Sequence, residues 1–143
     1  MLKRLPLLVI LSLLTVCSFA AYSEKIVVIV NNQNKADSLS SDLIGDIYLG
    51  RTSRFPSGEP VKPLDLPKGM AITHDFYAKV VKKTPAQLRA HWSRLVFTGK
   101  GRPPKRLSDE SAVKSMVSER SDSIGYMYEK TADDAVKIIF DAH

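Results

Sequence analysis

Cysteine is almost missing from this chain of 143 residues: the single one, Cys17, lies within the first apolar run. One cysteine cannot close a disulfide within the chain, so stability has to come from an apolar core. Histidine is also sparse. His74, His91 and His143 are too scattered for any familiar metal-ligand spacing, which argues against a zinc site. No G-x-S-x-G elbow is present, and the serines of "SLSS" (38–41) sit where helix capping accounts for them. The acidic pairs Asp109–Glu110 and Asp133–Asp134 fit helix or turn starts better than acid–base chemistry. Nothing in these absences leaves room for a recognisable catalytic constellation or a cofactor, and the chain reads as a non-enzyme. Internal repeats, low-complexity tracts and linkers are missing too, so one domain is expected.

What the chain does have begins with its compartment. Lys3 and Arg4 precede an apolar run from Leu5 to Val16, followed by the small residues Ser18, Ala20 and Ala21. A basic start, a short apolar stretch and an A-x-A-like site describe a cleavable secretory signal, cut after Ala20, and place the protein in the periplasm. Val16 stands before Cys17 where a lipobox needs a small residue, which argues against a lipoprotein anchor. The expected organisation is a signal peptide at 1–20 and one domain at 21–143, with no transmembrane segment after the cut. Removing 20 of 143 residues leaves 123, enough for one core and too few for two. Without Lys3 and Arg4, 19 basic side chains face 15 acidic ones, a net +4. These charges are interspersed, so they read as a solvated surface with some attraction for anions; an exported protein is not expected to meet nucleic acid.

Strands and helices alternate along the rest. "KIVVIV" (25–30) is an unbroken β-branched run, as expected for a strand buried on both faces of a mostly parallel sheet. "SSDLIGDIYL" (40–49) has Ser40 as N-cap, Leu43, Ile47 and Tyr48 on one helical face, and Gly50 as its stop. "VKPLDL" (61–66) reads as a strand that Pro63 consigns to an edge or to an early exit from the sheet. A helix over 72–81 would turn Phe76, Tyr77 and Val80 inward. Thr84-Pro85-Ala86-Gln87 opens another helix with a capping box and lines up Leu88, Trp92, Leu95 and Val96. Ser108-Asp109-Glu110 opens a further helix with Ala112, Val113, Met116 and Val117 on one face, and "SIGYMY" (123–128) and "AVKIIF" (135–140) end the chain as strands. The pattern predicts a single α/β domain: a mixed, mostly parallel sheet flanked by helices.

The sharpest local feature is "FTGKGRPPKR" (97–106). Two glycines, two prolines and the cations Lys100, Arg102, Lys105 and Arg106 suit an anion-binding or partner-docking loop, or equally a solvated connection kept outside by its charge. Arg51 and Arg54 carry the same two readings. Trp92 and Tyr126 read as core or rim residues.

Taken together, "LIGDIYLGRTSRF", a helix containing "FY", a Trp helix ending in "FTGKG" and a late "SIGYMY" occur in an order that resembles the periplasmic phosphate-binding proteins of ABC transporters, the PstS-like group of type II periplasmic binding proteins. The resemblance runs from about Lys25 to Phe140 and implies a single three-layer lobe of that fold. In that frame 25–30 and 135–140 correspond to the two hinge strands, and Phe55 plugs the end of the helix closed by Gly50. The family's Arg-x-Asp-Gly-Ser-Gly-Thr ligand run is replaced here by "PLDLPKGMAITHDF" (63–76), so its arginine is gone. What the resemblance leaves as anion-binding candidates is Lys68, Gly69 and Thr73 at the start of the 72–81 helix. Two functions follow: an oxyanion (phosphate-like) binding module in uptake or sensing, its half-cage completed by a homodimer, or an interaction module of an envelope complex with a protein partner and no solute.

Overall fold

The computed structural model describes residues 24–143; the signal peptide over 1–20 and Cys17 lie outside the described residues. Five strands form one sheet in the order β3-β2-β4-β1-β5: β1 Ile26–Val30, β2 Lys62–Asp65, β3 Lys105–Arg106, β4 Ser123–Tyr128 and β5 Lys137–Ala142. β2 lies parallel to β3 and to β4, while β1 is antiparallel to both β4 and β5. Four strands therefore point one way and β1 alone runs against them. Every residue of β1 is buried, as its β-branched run predicts, although its two ladders are antiparallel. Burial on both faces follows from a central position under two helical layers, and strand direction does not change it.

The two layers can be read from β4, whose side chains alternate across the sheet. On one face Tyr126 stacks on Phe76 with ring centroids 3.9 Å apart, and Tyr48 meets both rings edge-on. Those rings come from α1 Ser41–Tyr48 and α2 Ala71–Phe76. On the other face α4, Glu110–Glu119, lies against Gly125. A Cβ at Gly125 would come within 2.4 Å of Val113 Cγ1, so only glycine lets this helix settle on the sheet.

Ser40 caps α1 by accepting from the Leu43 amide, and Gly50, at φ +71°, continues the chain beyond it. Ile44, Ile47 and Tyr48 form the buried face, and Leu43 stays half-buried at its margin. The 72–81 helix is in fact two pieces. α2 runs straight into a π-helical turn, Tyr77–Val81, which ends at Lys82 in the left-handed region (φ 60°). The wider turn lets Phe76, Tyr77, Val80 and Val81 all face the core.

Two expectations need correcting. β2 is not an edge strand, because β3 lies outside it. β3 reaches only Leu64 and Asp65, so at Pro63 the strand has β4 as its sole neighbour and the missing amide breaks no ladder. The larger correction concerns α3, Pro85–Phe97. Its capping box forms as expected, with Thr84 and Gln87 bonding reciprocally, yet not one of its residues is buried. Leu88, Trp92 and Leu95 are half-buried, and Val96 is 55% and Phe97 93% exposed. The apolar spacing was sufficient to form the helix and did not provide a partner for it.

Candidate functional site

The end of β2 carries a buried carboxylate. Asp65 accepts hydrogen bonds from Tyr126 Oη (2.6 Å), Tyr77 Oη (2.9 Å) and the Leu66 amide (2.8 Å). The β3 residue opposite it in register is Arg106. Burial first, and then the Asp65 charge, push the Tyr77 and Tyr126 hydroxyls far above their ordinary value of 10.0, so both stay protonated and donate. Burial raises Tyr48 as well, and its hydroxyl donates to the Leu64 carbonyl at 2.9 Å. This cluster fixes the carboxyl end of β2 and gives each Asp65 oxygen at least one donor from within the fold.

Outside that cluster α3 stands off the body and encloses a cleft of about 630 Å³. The helix is moored at its middle. His91 Nε2 lies 2.7 Å from the Leu49 carbonyl at the end of α1, and the ring of the next residue, Trp92, comes up against Gly50. A Cβ at Gly50 would sit 3.2 Å from Trp92 Cη2, and one at Gly101 would sit 3.9 Å from Trp92 Cζ3. The six-membered edge of the indole thus lies near two glycines far apart in sequence. Gly50 has two duties, the left-handed turn after α1 and the seat of the tryptophan.

Trp92, Leu88, Tyr77, Pro103 and Pro104 supply apolar wall to this cleft. Five cations, Lys68, Lys82, Lys83, Arg89 and Arg106, also line it, together with Thr73 and His74; Asp65 is the one carboxylate among the lining residues. The cleft opens at the carboxyl ends of the parallel strands β2 and β3, where open α/β sheets commonly hold ligands.

Of the residues expected at an anion site, Lys68 is exposed and borders this cleft, and Thr73 is buried beside it, its hydroxyl donating to the Pro67 carbonyl at 2.8 Å. Gly69 is exposed in the turn before α2 and is not among the lining residues. Of the expected basic surface only Arg106 reaches the cleft. Lys100, Arg102 and Lys105 are exposed along the connection after α3. Arg51 pairs with Asp46 at 3.3 Å, and Arg54 donates to the Gly58 carbonyl at 2.7 Å, within the turn that Phe55 anchors in the core. The structure therefore brings Lys68, Thr73 and Arg106 together and leaves the two arginines after α1 elsewhere. Lys82, Lys83 and Arg89 escaped sequence reading. Arg89 lies three residues before Trp92 on one helical face, a signal that was available; the lysines depend on the left-handed turn at Lys82, which no pattern announces.

No protein-family profile and no curated protein sequence matches this chain. Its fold has clear counterparts among solved structures. Over 81% of this chain it is similar to an ABC-type phosphate transport receptor from Vibrio cholerae (TM-score 0.66, 15% identity, 45% of that chain). A phosphate ABC transporter substrate-binding protein from Clostridium perfringens, solved with bound phosphate, gives a TM-score of 0.64 at 19% identity over 44% of its length. PstS from Borrelia burgdorferi gives 0.63 at 11% over 46%. The chain spans less than half the length of these proteins. Its fold is that of a single lobe of a phosphate-binding protein of the PstS type.

Proposed function

We propose that the chain is a solute-binding-like module that receives an oxyanion such as phosphate in the cleft between α3 and the carboxyl ends of β2 and β3, and that it serves oxyanion uptake or sensing in the periplasm. One observation carries this reading: five cations line the cleft, while its lone carboxylate, Asp65, is already held by two tyrosine hydroxyls and a backbone amide. The lobe-like fold and the phosphate bound to the Clostridium perfringens protein support it. Lys68 and Arg106 approach the anion from the body, and Arg89 from α3; a bidentate guanidinium is well matched to a phosphoryl group. A second copy of the chain would close the open side. Calorimetric titration of phosphate into residues 21–143 at low ionic strength, with sulfate as competitor, tests the reading. Saturable binding that Arg106→Glu abolishes supports it, and heat that moderate salt erases for phosphate and sulfate alike overturns it.

A second reading has its own observation. α3 buries none of its residues and ends in the exposed pair Val96 and Phe97. An exposed helix with an aromatic tip suits an interaction module that docks a protein partner in an envelope complex without any solute. Loss of a co-purifying partner on Phe97→Asp, with phosphate binding absent in the wild type, would favour it.

A further inference from the structure

The chemistry of the cleft narrows the solute beyond a bare oxyanion. Phosphate is only phosphorus and four oxygens, whereas about 630 Å³ falls in the range of sites that take drug-sized organic ligands, roughly 300–1,000 Å³. The lining is also divided in kind. Its cations stand around a wall built from the Trp92 indole, Leu88, Tyr77, Pro103 and Pro104, most of which offers a small hydrated ion nothing to bond. An inorganic oxyanion would use the charged part and leave the apolar wall wet.

We infer that the cleft is built for an organic anion: a phosphate monoester whose flat, apolar body lies along Trp92 and the Pro103-Pro104 pair while its phosphoryl group meets Arg106 and Lys68. The inference rests on the oxyanion reading above and specifies its ligand class. Its elements are independent of one another. The six-membered edge of the indole lies near Gly50 and Gly101, which places the ring in the cleft wall. Pro103 and Pro104 add a rigid apolar surface that loses no side-chain freedom on contact. Arg106 and Lys68 are the cations proposed for the phosphoryl group, and the Asp65 oxygens opposite Arg106 accept from Tyr77 and Tyr126. Aromatic stacking on the indole and burial of apolar area add to the charge attraction, and neither is available to inorganic phosphate.

Because Trp92 is the sole tryptophan of the chain, its emission reports directly on the cleft. The test titrates the expected mature chain, residues 21–143, with inorganic phosphate, phenyl phosphate and phenol, read by calorimetry and by tryptophan fluorescence. Phenyl phosphate is expected to bind at least about tenfold more tightly than phosphate, to perturb Trp92 emission, and to outcompete phenol. Trp92→Ala should weaken the ester at least about tenfold more than it weakens phosphate, with melting followed in parallel to establish that the variant folds. Equal affinity for phosphate and phenyl phosphate in the wild type overturns the inference and leaves the oxyanion reading standing. Binding of neither overturns both. Phenol binding as tightly as the ester would mean that the charged lining plays no part, and would also overturn the inference.

Discussion

Helices α1 and α3 follow the same local grammar and arrive at opposite fates. Each starts at a hydroxyl residue, Ser40 or Thr84, whose side chain accepts the amide three residues on. Each is followed by a glycine in the left-handed region, Gly50 at φ +71° and Gly99 at φ +68°. Yet α1 buries Ile44, Ile47 and Tyr48 against the sheet, and α3 buries nothing. Capping and stop signals decide that a helix forms and where it ends. Whether it joins the core depends on the surface its apolar face meets: α1 sets Tyr48 against Phe76 and Tyr126, whereas the stripe of Leu88, Trp92 and Leu95 on α3 stays half-buried. The difference separates a structural helix from one free to form a wall of a site.

The comparison can be broken most forcefully from the α1 side. Tyr48, Tyr77 and Tyr126 are all raised by burial, so their protonation stabilises the folded state. That contribution is complete below the ordinary value of 10.0, and above it the unfolded chain gives up protons that the folded chain keeps. Stability should fall by up to about 4 kcal/mol per pH unit above pH 10, at about 1.4 kcal/mol per tyrosine; denaturant midpoints measured from pH 8 to 11.5 would reveal a flat profile if the three phenols were solvated. Next in size, Ile47→Ala should cost about 2–5 kcal/mol, whereas Leu88→Ala at a half-buried place on α3 should cost clearly less, both read from urea melts.

The glycines sharpen the contrast further. Gly50→Ala and Gly99→Ala each force a left-handed alanine, for roughly 1–2 kcal/mol. Only at residue 50 does the new methyl also meet Trp92, so Gly50→Ala should exceed Gly99→Ala and shift the tryptophan emission. Equal losses with unchanged emission would detach the indole from that seat. Smallest of all, Phe97→Ser should leave the melting midpoint within about 0.5 kcal/mol of wild type, since the ring is 93% exposed.

Much of the fold was legible because its signals are local. The β-branched run of β1, the caps at Ser40 and Thr84, and the Gly50 stop could all be read within a few residues, and the sheet with helices on both sides followed from their order. What escaped depends on long-range geometry. Asp65 stood with Lys68, Gly69 and Thr73 among the polar or flexible residues of 63–76, and only the fold brings Tyr77 and Tyr126 to its carboxylate. Trp92 read as core or rim from its helical spacing, and only the placement of α3 decided for the rim, at the edge of a cleft. The left-handed Lys82 and the π-helical turn before it redirect the chain without any glycine or proline to mark them. These irregular places surround the candidate site, where local rules are most often broken.

β1 and β5 pair antiparallel with Ile26 opposite Ala142, so the two ends of the described domain emerge side by side. Tension applied between residues 24 and 143 would meet the hydrogen bonds of that ladder one at a time, peeling the edge strand β5 away like a zipper instead of shearing all its bonds at once. The domain should therefore yield to small forces in single-molecule pulling, even though β1, the neighbour of the peeled strand, is buried along its whole length.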